Sequence, residues 1–122
     1  MDEIKVFLAD GETHVRQALR LSLDHLQGIS VSGEARGAES LLAQIGQDPP
    51  DVLLLDWELP GMYPQRMLPV IRRFCPETKV LATVLQSKQG KLALAHGVDT
   101  YLLKGSSPDD FVKALKTYLE IP

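Results

Sequence analysis

The stretch Pro49-Pro50-Asp51-Val52-Leu53-Leu54-Leu55-Asp56-Trp57-Glu58-Leu59-Pro60-Gly61-Met62 holds four consecutive apolar residues between a proline pair and a Pro-Gly turn. Val52 to Leu55 is too short for a helix of its own, and no polar residue interrupts it. That pattern predicts a strand covered on both faces, as inside a parallel sheet. The strand ends on a carboxylate, and open parallel sheets bind ligands beyond the carboxyl ends of their strands. Taken alone, Asp56 is either an ordinary strand-ending acid or the centre of a site.

Reading outward, Ile4 to Ala9 predicts a first buried strand that also ends on an acid, Asp10. From Thr13 the period changes. Val15, Ala18, Leu19, Ser22 and Leu26 fall at helical spacing against a polar side of Arg16, Gln17, Arg20, Asp24 and Gln27, and Gly28 is expected to stop that helix. Ile29 to Ala35 alternates, with Ile29, Val31, Gly33 and Ala35 on one side, as an edge strand should. Ala38 to Ile45 predicts a short helix closed by Gly46.

Beyond the Pro-Gly turn, Met67, Leu68, Ile71 and Phe74 give a helix over 65–74. Pro64 suits its start, whereas Pro69 must fall within the first turn or distort the rest of the helix. Lys79 to Leu85 predicts a fourth strand, Ser87 to Ala95 a weak helix interrupted by Gly90, and Thr100 to Leu103 a fifth strand closed by Lys104. Ser107-Pro108-Asp109-Asp110 starts the last helix with a hydroxyl cap, proline at the first helical position and acids facing the helix dipole. Five strand–helix units in alternation imply one α/β domain over 1–122, a parallel sheet with helices on both faces.

Composition narrows the function. The 122 residues are 44% apolar and 24% charged with a formal net charge of −3, which argues against a nucleic-acid-binding face. The single cysteine, Cys75, cannot form an internal disulfide, and no apolar run nears the roughly 20 residues that span a bilayer. The start Met1-Asp2-Glu3-Ile4-Lys5 lacks a signal-peptide pattern. Cytoplasmic location without membrane association is the expectation. His14, His25 and His96 have no metal-ligand spacing, and no phosphate-cradling glycine loop follows the first strand.

Parallel topology gathers Asp10, Asp56 and Lys104 along one sheet edge. Two close carboxylates repel unless a cation intervenes. A hard divalent ion such as Mg²⁺ relieves this with one or two carboxylates, a carbonyl and waters, and a lysine supplies fixed charge for a tetrahedral anion. A carboxylate so flanked can accept a phosphoryl group, and Thr83 could donate a further hydrogen bond.

These segments carry a resemblance. Phe7 to Asp10, Leu53 to Met62 and Gly97 to Lys104 resemble the receiver domain of bacterial two-component response regulators, over essentially the whole chain. Leu102-Leu103-Lys104-Gly105-Ser106 and the segment Val15 to Arg20 lean towards the NarL-like subgroup, whose members usually carry a DNA-binding effector domain after the receiver. The resemblance implies a flavodoxin-like fold with strand order 2-1-3-4-5, and a phosphoacceptor rather than an enzyme. A partner histidine kinase would phosphorylate Asp56, Lys104 would hold the phosphoryl group, and Asp10, Asp56 and the Glu58 carbonyl would hold Mg²⁺. A fourth-strand hydroxyl and Tyr101 would form the conformational switch controlling a transcriptional output, in a homodimer or through an effector domain.

Two departures qualify that pattern. Gly11 stands where a second acid is expected, which should weaken Mg²⁺ binding unless Glu12 or Glu58 substitutes; otherwise both face solvent. Val84 occupies the usual hydroxyl position, with Thr83 one residue early, and a one-residue offset reverses side-chain direction. An interaction module that docks or dimerises without phosphate is therefore the competing expectation.

Overall fold

The computed structural model describes residues 3–122; the first two residues of the N-terminal stretch, Met1 and Asp2, lie outside them. Its elements are β1 (Ile4–Ala9), α1 (Thr13–Asp24), β2 (Ile29–Ala35), α2 (Ala38–Ile45), β3 (Val52–Asp56), α3 (Pro64–Phe74), β4 (Lys79–Val84), α4 (Ser87–Ala95), β5 (Thr100–Leu103) and α5 (Pro108–Leu119). The sheet is parallel throughout and ordered β2-β1-β3-β4-β5. This is the expected doubly wound flavodoxin-like architecture.

The apolar run of β3 is central because it fills both layers of the core. Leu53 and Leu55 join α2, α3 and α4 on one side of the sheet. Val52 and Leu54 join α1 and α5 on the other. All four are at most 2% exposed. Burying each such side chain contributes about 1.5–3 kcal/mol, which holds the strand that carries Asp56 in a rigid frame.

Four local expectations change. Helix α1 ends at Asp24, with His25 as its cap, and Gly28 instead lies in the following turn at φ +85°. Strand β4 stops at Val84, leaving Leu85 exposed. Pro69 lies inside α3, beyond its first turn, while Pro64 takes the first helical position. Pro69 has no N–H to donate to the Gln65 carbonyl, and Gln65 is exposed, so water can satisfy that group. The alternation of β2 breaks at a bulge opposite Val6 and Phe7, where Val31 and Gly33 pair with them and Ser32 is left over. An extra residue reverses side-chain direction. Ile29 and Val31 therefore face α1, whereas Ala35 joins the opposite core layer. Glu34 in turn reaches Arg16 and Arg20 of α1. Among the described residues no helix is long and apolar enough to cross a membrane.

Candidate functional site

Side-chain alternation along β1, β3, β4 and β5 sends Asp10, Asp56, Thr83 and Lys104 to the same side of the sheet, over α1 and α5. The register supports this directly: Asp56 pairs with Thr83, and Thr83 with Leu102, a member of the α1/α5 core layer.

The two acids are held alike. Asp10 Oδ1 accepts a hydrogen bond from the Glu12 N–H at 2.9 Å, and Asp56 Oδ1 accepts one from the Glu58 N–H at 3.0 Å. Each is an Asx turn that orients the carboxylate without a partner side chain. The second oxygen of each acid then faces Lys104, whose Nζ lies 2.7 Å from Asp10 Oδ2 and 3.4 Å from Asp56 Oδ2. The Lys104 backbone N–H donates to the Val84 carbonyl at 2.7 Å, which fixes the root of the lysine to the end of β4.

Charge is incompletely balanced. One ammonium faces two carboxylates, so the trio carries a formal charge of −1. Burial pushes the Asp56 carboxyl above the ordinary aspartate range, and the Glu58 N–H opposes this; the charge of Asp10 adds to the rise while Lys104 counters it. Burial draws Lys104 downward, but its contact with Asp10 and the charges of Asp56 and Asp10 outweigh that and hold its ammonium above the ordinary lysine value. The buried Asp10 Oδ2 thus has the Lys104 ammonium beside it at 2.7 Å and no further partner. Two buried carboxylates sharing one ammonium suit a further hard cation.

The expected substitute carboxylates do not join the acids. Glu12 pairs with His14 at 3.1 Å on the exposed surface. Glu58 Oε1 accepts from Gln89 Nε2 at 3.0 Å. Among the described residues no three His, Cys, Asp or Glu side chains converge as a metal cluster. Gly11 allows a close approach instead: a Cβ there would lie 3.1 Å from Pro60 Cδ, in the loop after Asp56. The side chains at the site are thus two carboxylates and a lysine, and the two carboxylates fit a Mg²⁺ that keeps most of its waters.

Thr83 and Tyr101 fall on opposite sides of the sheet. Tyr101 pairs with Ala82 and packs on the α2/α3/α4 layer, where Val84 is also buried. Its ring rests on Gly90 of α4 so closely that a Cβ at that position would lie 2.3 Å from it. Gly90 is a weak point by helix propensity, yet its missing side chain is what admits the ring. Trp57 also packs on this layer, 6.2 Å between ring centroids from His96, and so turns away from the acids it adjoins in sequence.

Two contributors escape a reading of the sequence. Arg16, on the polar side of its helix by periodicity, is only 13% exposed; it donates from Nη1 to the Asp10 carbonyl at 2.7 Å and from Nε to Glu34. Arg16 and Arg20, four residues apart, together grip Glu34, a spacing that could have signalled a shared acidic partner. Gln89 closes a capping box with Gln86 and holds Glu58, tying α4 to the loop after Asp56.

Comparison with known proteins agrees with this fold. The family model described as response regulator receiver domain matches residues 6–116. The uncharacterized transcriptional regulatory protein YxjL of Bacillus subtilis is 30% identical over 117 residues, covering 94% of this chain and 54% of that protein. Response regulator UvrY of Escherichia coli is 28% identical over 116 residues, covering 93% of this chain and 53% of that protein. The chain thus spans about half the length of the curated relatives it matches. The signal receiver domain of the response regulator NarL from Mycobacterium tuberculosis superposes with a TM-score of 0.84 at 27% identity, with 98% of both chains covered. The isolated receiver domain of RcsB from Salmonella enterica, determined with the phosphomimetic BeF3−, shares the fold at a TM-score of 0.85 and 22% identity, covering 98% of this chain and 90% of that one.

Proposed function

This chain belongs to the response regulator receiver family of two-component signalling, and from that premise we propose that Asp56 is its phosphoacceptor. The observation that supports this reading is the convergence of Asp10, Asp56 and Lys104, with the lysine ammonium facing the second oxygen of each buried acid. A carboxylate oxygen of Asp56 attacks phosphorus, a new P–O bond forms, and the bond from phosphorus to the donor breaks. The donor leaves with that electron pair, as the imidazole of a kinase phosphohistidine or as acetate from acetyl phosphate. Lys104 neutralises charge on the transferring group, and its fixed backbone makes it a positioned cation from the outset. Asp10 and Asp56, with the Glu58 carbonyl, would hold Mg²⁺, which would supply further positive charge at the transferring group.

The departures from the family pattern shape the switch. Thr83 lies on the acids' side and Tyr101 on the other, so we assign the response to phosphate to Thr83, Lys104 and α1/α5, with Tyr101 held on Gly90. The output is a change in transcription, made through a DNA-binding region of the kind carried by transcriptional regulatory relatives, with a sensor histidine kinase upstream.

Intact-mass measurement after incubation with acetyl phosphate and Mg²⁺ tests this reading. One added phosphoryl mass is expected for the natural chain and none for Asp56→Asn. An unchanged natural chain, still folded, would instead favour the second reading: an interaction module working without phosphate.

A further inference from the structure

Each acid of the site is followed two residues later by a glutamate whose N–H holds it, Glu12 after Asp10 and Glu58 after Asp56. Both glutamates are therefore rooted one hydrogen bond from a buried carboxylate, and both turn their side chains away. Glu12 turns to His14, an exposed neighbour in the same stretch of chain. Glu58 is held from elsewhere: Gln89 of α4, 31 residues on, donates from Nε2 to Glu58 Oε1 at 3.0 Å. The other end of that amide is fixed, because Gln89 Oε1 accepts from the Leu85 and Gln86 N–H groups at 3.2 and 3.3 Å. Gln89 is half-buried whereas Glu58 is exposed, so α4 is the fixed partner and Glu58 the movable one.

We propose that Gln89 is a latch that keeps the Glu58 carboxylate off the cation at Asp10 and Asp56, and so sets how tightly the site holds Mg²⁺. The identity of the cation follows from the phosphoacceptor reading, on which this role of Gln89 rests. Charge favours release once metal is present. The formal charge of −1 on Asp10, Asp56 and Lys104 becomes +1 with Mg²⁺, and a third carboxylate brings neutrality. A further carboxylate, direct or through a metal-bound water, tightens a hard-cation site. Gly11 leaves the place free, since it sends no side chain between Asp10 and the loop after Asp56. In the natural chain Mg²⁺ competes with Gln89 for Glu58, and the hydrogen bond that must break weakens the metal by that much. A shift of α4 therefore reaches the metal through Glu58.

An amide NMR titration of the full chain with Mg²⁺ and no phosphoryl donor reads metal binding from the signals of Asp10, Glu12, Asp56 and Glu58. Gln89→Ala should bind Mg²⁺ roughly fivefold tighter than the natural chain, the worth of one hydrogen bond no longer broken. A merely structural contact would give the opposite sign or no change. Glu58→Gln in the Gln89→Ala background should remove the gain. If Gln89→Ala loosens the start of α4, Gln89→Glu keeps an acceptor for the Leu85 and Gln86 N–H groups, cannot donate to Glu58 when ionised, and should show the same Glu58-dependent gain. Equal or weaker affinity in the released variants, or a gain that survives Glu58→Gln, would overturn the latch and leave the metal site standing. No saturable response in any of these chains would overturn the latch and the metal together, while phosphorylation of Asp56 is read separately by mass.

Discussion

The two sides of the sheet at its carboxyl edge are built on opposite principles. Over α1 and α5, the buried Asp10 and Asp56 and the half-buried Lys104 are charged and imperfectly matched, beside an open cavity. Over α3 and α4, Val84, Tyr101 and Trp57 are packed, and the Tyr101 ring sits where a side chain at Gly90 would be. The first side is electrostatically unsettled and able to respond to a new charge. The second is sterically filled and resists rearrangement. A sheet one residue thick separates them, and whether a residue belongs to one or the other depends only on the parity of its position along the strand.

The largest expected effect comes from removing the lysine. Lys104→Met leaves Asp10 and Asp56 buried without a counter-charge and should cost on the order of 3 kcal/mol at neutral pH, read by urea denaturation. Acidification should recover part of that loss, because Asp56 takes up a proton readily. An unchanged midpoint at neutral pH would mean that the acids are not electrostatically dependent on Lys104.

Next comes the packed side. Gly90→Ala should destabilise by about 1–2 kcal/mol, since overpacking against the Tyr101 ring exceeds the helix-propensity gain of alanine. Combining it with Tyr101→Ala should remove most of the added penalty, a coupling that a double-mutant cycle reads. Strict additivity would show that ring and glycine do not interact.

Titration acts on the charged side alone, and both of its shifted groups lose stability as pH rises. Lys104 is raised in the folded state, so its stabilisation is complete below the ordinary lysine value of 10.5 and is lost as pH rises through its higher folded value. Asp56 is raised above 3.8, so the folded chain keeps its proton longer than the unfolded chain. Through Asp56, stability should therefore fall as pH rises between its folded and unfolded values, with the Lys104 loss following only in the alkaline range. Asp56→Asn should remove that acid-side slope, whereas Gly90→Ala should leave it intact, as pH-dependent urea midpoints will show.

The smallest effects are local. Thr83→Val should change stability by within about 1 kcal/mol and shift the amide signals of Lys104 and Asp10. Val84→Thr should instead perturb Tyr101 and Gly90. Exchange of those two patterns would mean that β4 runs in the other register.

The sequence alone determined the order of elements, the buried β3 and the three charged strand ends, because a parallel α/β sheet has a short list of solutions once strands and helices alternate. It also located Asp56 and Lys104 as partners, since both fall at carboxyl ends of strands in one parallel sheet. Only the tertiary structure decided which side each neighbour takes. The β2 bulge, the end of β4 at Val84 and the seat of Tyr101 on Gly90 depend on contacts between residues far apart in sequence, and a one-residue change in strand parity inverts a side chain without altering composition or period. The same applies to Glu12, Glu58 and Arg16: their residue types announced charge, but their partners came from helices and loops packed against the sheet.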